Sequence, residues 1–206
     1  MRLSVMQRIE RHFEQYFEQP ISFVLQPTNQ TDVHIDVVCF EPTELYPFWK
    51  LATVGASDIV MPQKDVYGCK RNEYMMFVDK DVDLPNDYEW YVKWLYFTAE
   101  YTREERQFVT ANHSIETPNI IDEGEMKGLI LLLPAVLYDV NILHCKLGWF
   151  KKATCLQVMP ITQSELDGLY ANGTEWLVSR FYPFIYGDDE HQNDEEHYLA
   201  EKNRSF

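Results

Sequence analysis

The segment at 128–133, GLILLL, constrains the fold most, because it is apolar on both faces of any strand that it forms. Such a strand is typical of the centre of a sheet, where both faces are buried. The longest apolar run, 129–138, contains Pro134 and is shorter than the roughly 20 residues that a membrane-spanning helix needs. The sequence therefore predicts a buried central strand and not a membrane span.

A helix with a heavy aromatic face is predicted to cover this sheet. Asn86 and Glu89 have the spacing of an N-terminal cap pair, so the helix is expected to begin near them. Large apolar residues then recur at helical spacing and form one stripe. The stripe consists of Trp90, Trp94, Phe97 and Tyr101.

Two further helices begin at capping boxes, in which the side chains of two residues three positions apart bond each other's backbone. Ser4 and Gln7 have this spacing, and so do Thr162 and Glu165. Gly173 suits the end of the second of these helices, because glycine often terminates a helix. These two helices are predicted to cover 4–19 and 162–173, and a further short helix is predicted over 174–181.

The remaining apolar segments have the length and composition of strands. Residues 32–40, DVHIDVVCF, alternate at first and predict a strand with one face in solvent. Lys151 and Lys152 separate two strand-like segments and predict a hairpin turn, whereas 108–126 is expected to be loop-rich. The predicted strands cover 21–25, 32–40, 49–54, 59–61, 73–78, 128–133, 141–150 and 153–160.

The order of these elements favours one α+β domain, because strands and helices do not alternate in a regular βαβ pattern. We expect this domain to occupy 1–186. Residues 187–206 are polar and acidic, and they are predicted to form a flexible tail.

The charge restricts the possible partners. The chain has 33 acidic and 18 basic residues, a formal net charge of −15. Nucleic-acid binding needs a basic face, so the charge favours either solubility alone or a basic protein partner. Two acidic groups are candidate partner-binding residues. They are Asp79, Asp81, Asp83, Asp87 and Glu89 in the first group, and Asp188, Asp189 and Glu190 in the second.

Cysteine usage predicts a reducing compartment. Cys39, Cys69, Cys145 and Cys155 include no CxxC pair, so a cysteine-rich zinc site is not expected. The N-terminal residues contain no apolar stretch of the kind that a signal peptide has. We expect reduced cysteines in the core of a cytoplasmic protein that carries no metal and no cofactor.

Three short patterns were compared with catalytic and metal sites. The GASD sequence at 55–58 lacks the second glycine of a nucleophile elbow and the lysine of a phosphate loop, so we expect a structural turn between two strands. The Asp-x-His-x-Asp pattern at 32–36 could hold a metal ion on one strand face, although any half-exposed strand shows the same alternation. His144 and Cys145 are adjacent on a predicted strand, so their side chains face opposite ways and cannot form a catalytic pair.

The order of the motifs resembles that of the suppressor-of-fused-like (SUFU-like) domain, especially its compact bacterial members. The resemblance runs over about 32–181. It includes DVHIDVVCFEPTELYPFWKLATVGASDIVMP, EYMMFV, an acidic and tryptophan-rich helix that ends near TANHSIETPN, GLILLLP and CLQVMPITQSELDGLYANGTEWLVSRF. It implies an α+β domain with a mixed sheet and flanking helices.

The resemblance also implies a function. The bacterial members are similar to immunity proteins, which bind and neutralise a cognate toxin that is often a nuclease. A nuclease has a basic groove that an acidic protein could occupy, so we expect a non-enzymatic immunity protein. One alternative is a regulatory adaptor that pairs a peptide strand with a sheet edge. The animal members look like proteins of this kind. The other is a metal-dependent hydrolase built on Asp32, His34 and Asp36.

Overall fold

The computed structural model describes residues 3–26, 34–104, 107–117, 125–134, 139–181 and 200. In these ranges an eight-stranded sheet has helices on both faces. The helices are α1 (Val5–Phe17), α2 (Leu84–Asp87), α3 (Glu89–Glu104), α4 (Gln163–Asn172) and α5 (Thr174–Phe181). The strands are β1 (Phe23–Leu25), β2 (Asp36–Phe40), β3 (Phe48–Val54), β4 (Asn72–Asp79), β5 (Ser114–Glu116), β6 (Met126–Leu132), β7 (His144–Lys146) and β8 (Lys152–Thr162).

The sheet is mixed. Its strand order is β1-β2-β3-β4-β8-β6-β5, and β7 pairs with the first residues of β8. The central strands β4 and β8 run parallel, whereas the other paired strands run antiparallel. The mixed sheet with flanking helices confirms the predicted fold class.

Each face of the sheet has its own core. On one face, Phe13 of α1 packs in the same cluster as Phe77 of β4, and α4 and α5 cover β6 and β8. On the opposite face, Trp94 of α3 packs in a cluster with Met76. Met76 and Phe77 are neighbours on β4 and point to opposite sides, so β4 is buried between helices. Among the helices in the described ranges, none is long and apolar enough to cross a membrane.

Two of the three predicted pairs of capping residues are confirmed, and so is the predicted end of α4. The capping boxes of Ser4 with Gln7 and of Thr162 with Glu165 both form. The amide of Gly173 donates a 2.8 Å hydrogen bond to the Leu169 carbonyl at the end of α4. Strand β6 is fully buried from 128 to 132, as predicted, but it is not central, because it lies second from the edge of the sheet beside the short strand β5.

Of the strands predicted on either side of β3, the first forms over a shorter range than predicted and the second does not form. β2 begins at Asp36, and 37–40 are buried on both faces, because helices cover both sides of the sheet there. The alternation therefore does not mark a half-exposed strand. Residues 59–61 form no strand. Instead β3 is followed by a 3-10 turn at Ala56–Asp58, and the chain rejoins the sheet only at β4.

The aromatic helix α3 begins at Glu89, as predicted, but the short helix α2 precedes it and the buried face of α3 is not the predicted stripe. Asp83 occupies the N-cap position of α2, and the Asn86 side chain donates a 2.8 Å hydrogen bond to its carboxylate. Asn86 is therefore not the cap. In α3 the buried face is centred on Tyr91, Trp94 and Leu95. Aromatic residues surround more than one side of α3, so their spacing alone could not identify the buried side.

Two segments between 108 and 150 also differ from the prediction. The expected loop contains the edge strand β5. The predicted hairpin forms, but its first arm is only β7, which follows a 3-10 turn at Val140–Leu143. The amides of Leu147 and Gly148 both donate to the Lys151 carbonyl, so the connection lies before the predicted turn.

One residue of the predicted tail, Ala200, lies in the described part of the chain. It is buried, and its amide donates a 2.7 Å hydrogen bond to the Phe77 carbonyl. A flexible tail over the remainder of 187–206 and a domain boundary at 186 stay predictions.

Candidate partner-binding surfaces

The small polar turn after β3 is held by one buried carboxylate. Glu73 Oε1 accepts hydrogen bonds from the amides of Gly55 (3.2 Å) and Ser57 (3.0 Å), and Oε2 accepts one from the Thr53 hydroxyl (2.6 Å). Burial raises the pKa of Glu73 to about 7. A side-chain carbon on Gly55 would lie 2.3 Å from the His34 carbonyl oxygen. The turn therefore has the structural role that the sequence predicts.

A cysteine and a histidine do meet, but their geometry opposes catalysis. His12 Nε2 lies 3.8 Å from Cys155 Sγ and 2.7 Å from the Ile142 carbonyl oxygen. A carbonyl oxygen only accepts hydrogen bonds, so Nε2 carries a proton and cannot take one from the thiol. Burial raises the pKa of Cys155 and lowers that of His12. All four cysteines are free and buried, as predicted.

The Asp-x-His-x-Asp pattern is only partly described. His34 Nε2 lies 3.0 Å from Asp36 Oδ1, and Asp32 lies outside the described residues. Within the described ranges, no group of three or more His, Cys, Asp or Glu side chains could hold a metal ion. In that part of the chain the pattern amounts to one His–Asp contact.

Five acidic residues lie at the last position of β4 and in the segment that follows it, and we call this group the acidic edge. Asp79 is half-buried, and the other four acidic side chains are exposed. Among the described residues, no cation forms an ion pair with any of the five. Their charge is therefore available to a basic partner. The acidic edge consists of Asp79, Asp81, Asp83, Asp87 and Glu89.

Apolar residues anchor the acidic edge to the sheet. The Leu84 side chain is fully buried in the α3-side core. The Trp49 indole nitrogen donates a 3.1 Å hydrogen bond to the Val82 carbonyl. These contacts hold the segment in one conformation, which lowers the ordering cost of binding.

The five acids divide into two that hold the turn and three that do not. Asp79 Oδ1 accepts a 2.6 Å hydrogen bond from the Asp81 amide. The Asp83 carboxylate accepts the side-chain bond of Asn86. The other three carboxylates make no hydrogen bond within the described residues. They belong to Asp81, Asp87 and Glu89. The second acidic group of the sequence prediction, Asp188, Asp189 and Glu190, lies outside the described residues.

A pocket of about 460 Å³ lies at the opposite end of β4, and we call it the basic pocket. Six of the 18 cationic side chains line it, so a third of the positive charge of an acidic chain converges here. None of the six forms an ion pair with a described carboxylate. The six are Lys64, Lys70, Arg71, Lys146, Lys151 and Lys152.

The basic pocket forms where the β7–β8 hairpin meets the loop that precedes β4. Lys152 Nζ donates a 2.6 Å hydrogen bond to the Tyr67 carbonyl. The Thr154 hydroxyl donates to Asp65 Oδ2 at 2.5 Å. Asp65 Oδ1 accepts hydrogen bonds from the amides of Tyr67 (3.0 Å) and Cys69 (2.7 Å). These bonds fix two segments that are distant in sequence against each other.

Two aromatic side chains, Trp149 and Phe150, project from the hairpin beside the pocket. They are 90% and 94% exposed. Their rings meet edge to face, with centroids 6.1 Å apart and an interplanar angle of 85°. We call this pair the aromatic tip. Adjacent exposed apolar groups of this size typically mark an interaction surface.

The acidic edge and the basic pocket occupy opposite ends of β4. Arg71 immediately precedes the strand, and Asp79 is its last residue. Seven residue steps of about 3.3 Å separate Asn72 from Asp79, or about 23 Å. Charges are screened beyond about 8 Å at physiological ionic strength, so each surface attracts its partner independently of the other.

The sequence prediction missed the basic pocket. One local signal exists, because the segment 146–152, KLGWFKK, has three lysines, two aromatic residues and no acid in a chain of net charge −15. The other lysines lie before β4. Only the parallel pairing of β4 with β8, which aligns Asn72 with Thr154, brings the two segments together.

Comparisons with known proteins agree with the architecture. The sequence model of the family described as suppressor of fused protein (SUFU) matches residues 31–187. A SUFU homolog from Neisseria gonorrhoeae is 14% identical with a TM-score of 0.63, over 98% of this chain and 95% of that one. A structure of the Sufu–Fu complex is 12% identical with a TM-score of 0.66, over 98% and 91%.

A third similar structure is that of Drosophila Suppressor of Fused, 11% identical with a TM-score of 0.64 over 98% of this chain. The chain spans half of that protein's length. At these identities the likeness shows a shared fold. No curated protein sequence matches the chain.

Proposed function

Because the chain belongs to the suppressor of fused (SUFU) family, we propose that it acts by binding another protein, as an immunity protein that neutralises a cognate toxin with a basic surface. The observation that carries this proposal is the acidic edge, whose five carboxylates have no ion-pair partner among the described residues. The similar structure of a Sufu–Fu complex supports protein binding as the mode of action. We propose no catalytic role.

The acidic edge has the properties that inhibition of a nuclease requires. A nuclease binds phosphates through a basic groove, and an acidic surface accelerates association with such a groove by electrostatic steering. The anchored turn presents the carboxylates without a large ordering cost. A bound immunity protein would then cover the groove and exclude the nucleic acid.

The proposal also covers a second acidic segment, which lies outside the described residues, and the cellular location of the protein. Asp188, Asp189 and Glu190 would add a second acidic contact to the same toxin. We also propose that the protein works in the cytoplasm, since its four cysteines are free and buried and a toxin made by the same cell must be neutralised there.

A regulatory adaptor that binds a peptide strand is the second candidate. Among the described strands, β1 and β5 end the strand order, so in that part of the chain each has a side without a strand partner, to which a peptide could pair. Each edge strand has only three residues, which offers few backbone groups for pairing. Docking through side chains on the acidic edge is therefore the first proposal.

Co-expression with the protein encoded by the neighbouring open reading frame tests the immunity role. We expect the neighbour to be toxic alone, cells to survive when both are made, and the two proteins to purify as a complex. A harmless neighbour that does not co-purify contradicts the immunity role. A linear peptide that binds as tightly as its parent protein would instead favour the adaptor.

A further inference from the structure

We propose that the basic pocket and the aromatic tip form a second docking site, which binds a short acidic segment of a protein partner that also carries an apolar side chain. This inference goes beyond the proposed function and does not depend on it. The acidic edge lies at the other end of β4, and its partner there would be basic.

The lysines of the pocket are available for carboxylates. Lys70 Nζ donates to the Pro62 carbonyl at 3.2 Å, and Lys152 Nζ donates to the Tyr67 carbonyl, so both ammonium groups are held at the pocket with further protons to donate. The ammonium groups of the other three pocket lysines make no hydrogen bond or ion pair within the described residues. These lysines are Lys64, Lys146 and Lys151.

The aromatic tip supplies the apolar part of the site. Trp149 and Phe150 contact each other but leave nearly all of their surface exposed. Tryptophan is enriched among the residues that dominate protein–protein binding energy, and a side chain that covers these rings would bury apolar area. Lysines around an aromatic pair therefore fit a segment in which acidic residues flank an apolar one.

The openness of the site favours a chain segment over a small molecule. Small-ligand sites bury most of the ligand surface. Here all five lysines are exposed, and the two aromatic rings stand in solvent. A small ligand would remain largely hydrated, whereas a segment of a partner can contact the pocket and the tip together.

The charge distribution favours a protein segment over nucleic acid. Arginine is the residue best suited to phosphate, and Arg71 already donates to the carbonyls of Ser57 and Asp58. Outside the pocket the chain has twelve basic residues against 33 acidic ones. A polyanion longer than the pocket would meet this negative surface, whereas a protein can confine its acids to the bound segment.

A fluorescein-labelled peptide in which leucines alternate with pairs of glutamates tests the site by fluorescence anisotropy. The pocket variant is Lys146→Gln with Lys151→Gln. The control is Lys80→Gln with Lys93→Gln, which removes the same charge from exposed lysines near the acidic edge. We expect the Kd to rise about tenfold in the pocket variant and less than about twofold in the control.

Trp149→Ala with Phe150→Ala should also weaken peptide binding. The Tm of this variant should be unchanged, because both side chains are exposed. The proposal is wrong if the native protein does not bind the peptide. It is also wrong if the pocket variant and the control variant weaken peptide binding equally. Tighter binding of oligothymidylate, lost in the pocket variant, would assign the site to nucleic acid instead. Oligomers at low salt that the pocket variant abolishes would assign it to a second copy of this chain.

Discussion

The Thr154 hydroxyl donates a 2.5 Å hydrogen bond to the Asp65 carboxylate, and this bond ties β8 to the loop that precedes β4. Both residues are buried. Asp65 in turn holds the loop through the amides of Tyr67 and Cys69. This buried bond therefore adds to the β4–β8 pairing in fixing the relative position of the two lysine-bearing segments.

Replacing Thr154 by valine should lower the free energy of unfolding by about 1–3 kcal/mol, because the Asp65 carboxylate loses a buried partner. Urea denaturation measures this change. The acidic peptide should also bind more weakly, since the loop loses one of the hydrogen bonds that hold it against β8. Thr110→Val is the matched control, because the buried Thr110 hydroxyl has no hydrogen-bond partner in the described structure. Equal losses in both variants would contradict the role of the Thr154–Asp65 bond.

Glu73 should make stability fall as pH rises through the weakly acidic range. Its pKa is raised by burial from 4.5 to about 7, so the folded protein keeps a proton that the unfolded chain has already released. The stability that depends on this proton is complete below about pH 4.5 and is lost by about pH 7, with an upper limit of about 3 kcal/mol.

Glu73→Gln removes this titration while leaving an oxygen to accept from the amides of Gly55 and Ser57. The unfolding free energy of the variant relative to the native protein should therefore increase between about pH 5 and about pH 8. Urea denaturation at several pH values measures the difference. A difference that does not change with pH would show that Glu73 titrates normally in the folded protein.

The features that the sequence predicted well depend on nearby residues. The capping boxes at Ser4 and Thr162 require only residues three positions away. The apolar residues of β6 require burial on both faces, whichever elements supply it. In contrast, the buried face of α3 depends on which strands lie beneath it. Trp90 and Trp94 look alike in the sequence, yet only Trp94 is fully buried.

The two surfaces differ in the same way. The acids of the acidic edge are close in sequence, so composition identified them, although it could not show that Asp79 and Asp83 hold the turn. The basic pocket joins Lys64 to Lys146 across a distance in sequence that only the β4–β8 pairing closes. A non-local pairing of this kind leaves no pattern in a single sequence.

Gly55→Ala should destabilise the protein strongly, because the space and the backbone conformation both exclude a side chain. The φ of Gly55 is +119°, and an added carbon would lie 2.3 Å from the His34 carbonyl oxygen. We expect a loss of about 2–5 kcal/mol from strain and overpacking, measured by urea denaturation. Gly148→Ala is the control, since nothing lies within 4 Å of its added carbon, and it should change stability by less than about 0.5 kcal/mol. A mild effect at Gly55 would mean that the turn can rearrange.

Neutralising the acidic edge should slow association with the toxin without unfolding the protein. The variant must spare Asp79 and Asp83, whose side chains hold the turn. The substitutions are therefore Asp81→Asn, Asp87→Asn and Glu89→Gln. At low salt we expect association to slow about tenfold, because steering depends on the local field. The difference should shrink as salt is added, and the Tm should change little. Stopped-flow mixing at several salt concentrations measures the association rates of the native protein and of the variant.

A second triple variant separates the position of the charge from its amount. It removes three exposed acids on other elements, by Asp58→Asn on the 3-10 turn at the opposite end of β3, and by Asp167→Asn and Glu175→Gln on α4 and α5, which cover the other face of the sheet. Screening limits the reach of each charge to about 8 Å at physiological salt, so this variant should associate at nearly the native rate. If both triple variants slow association equally, net charge alone drives the encounter. If neither variant slows association, the toxin docks elsewhere. If the complex also forms with both variants, the basic pocket is the next surface to test by substitution.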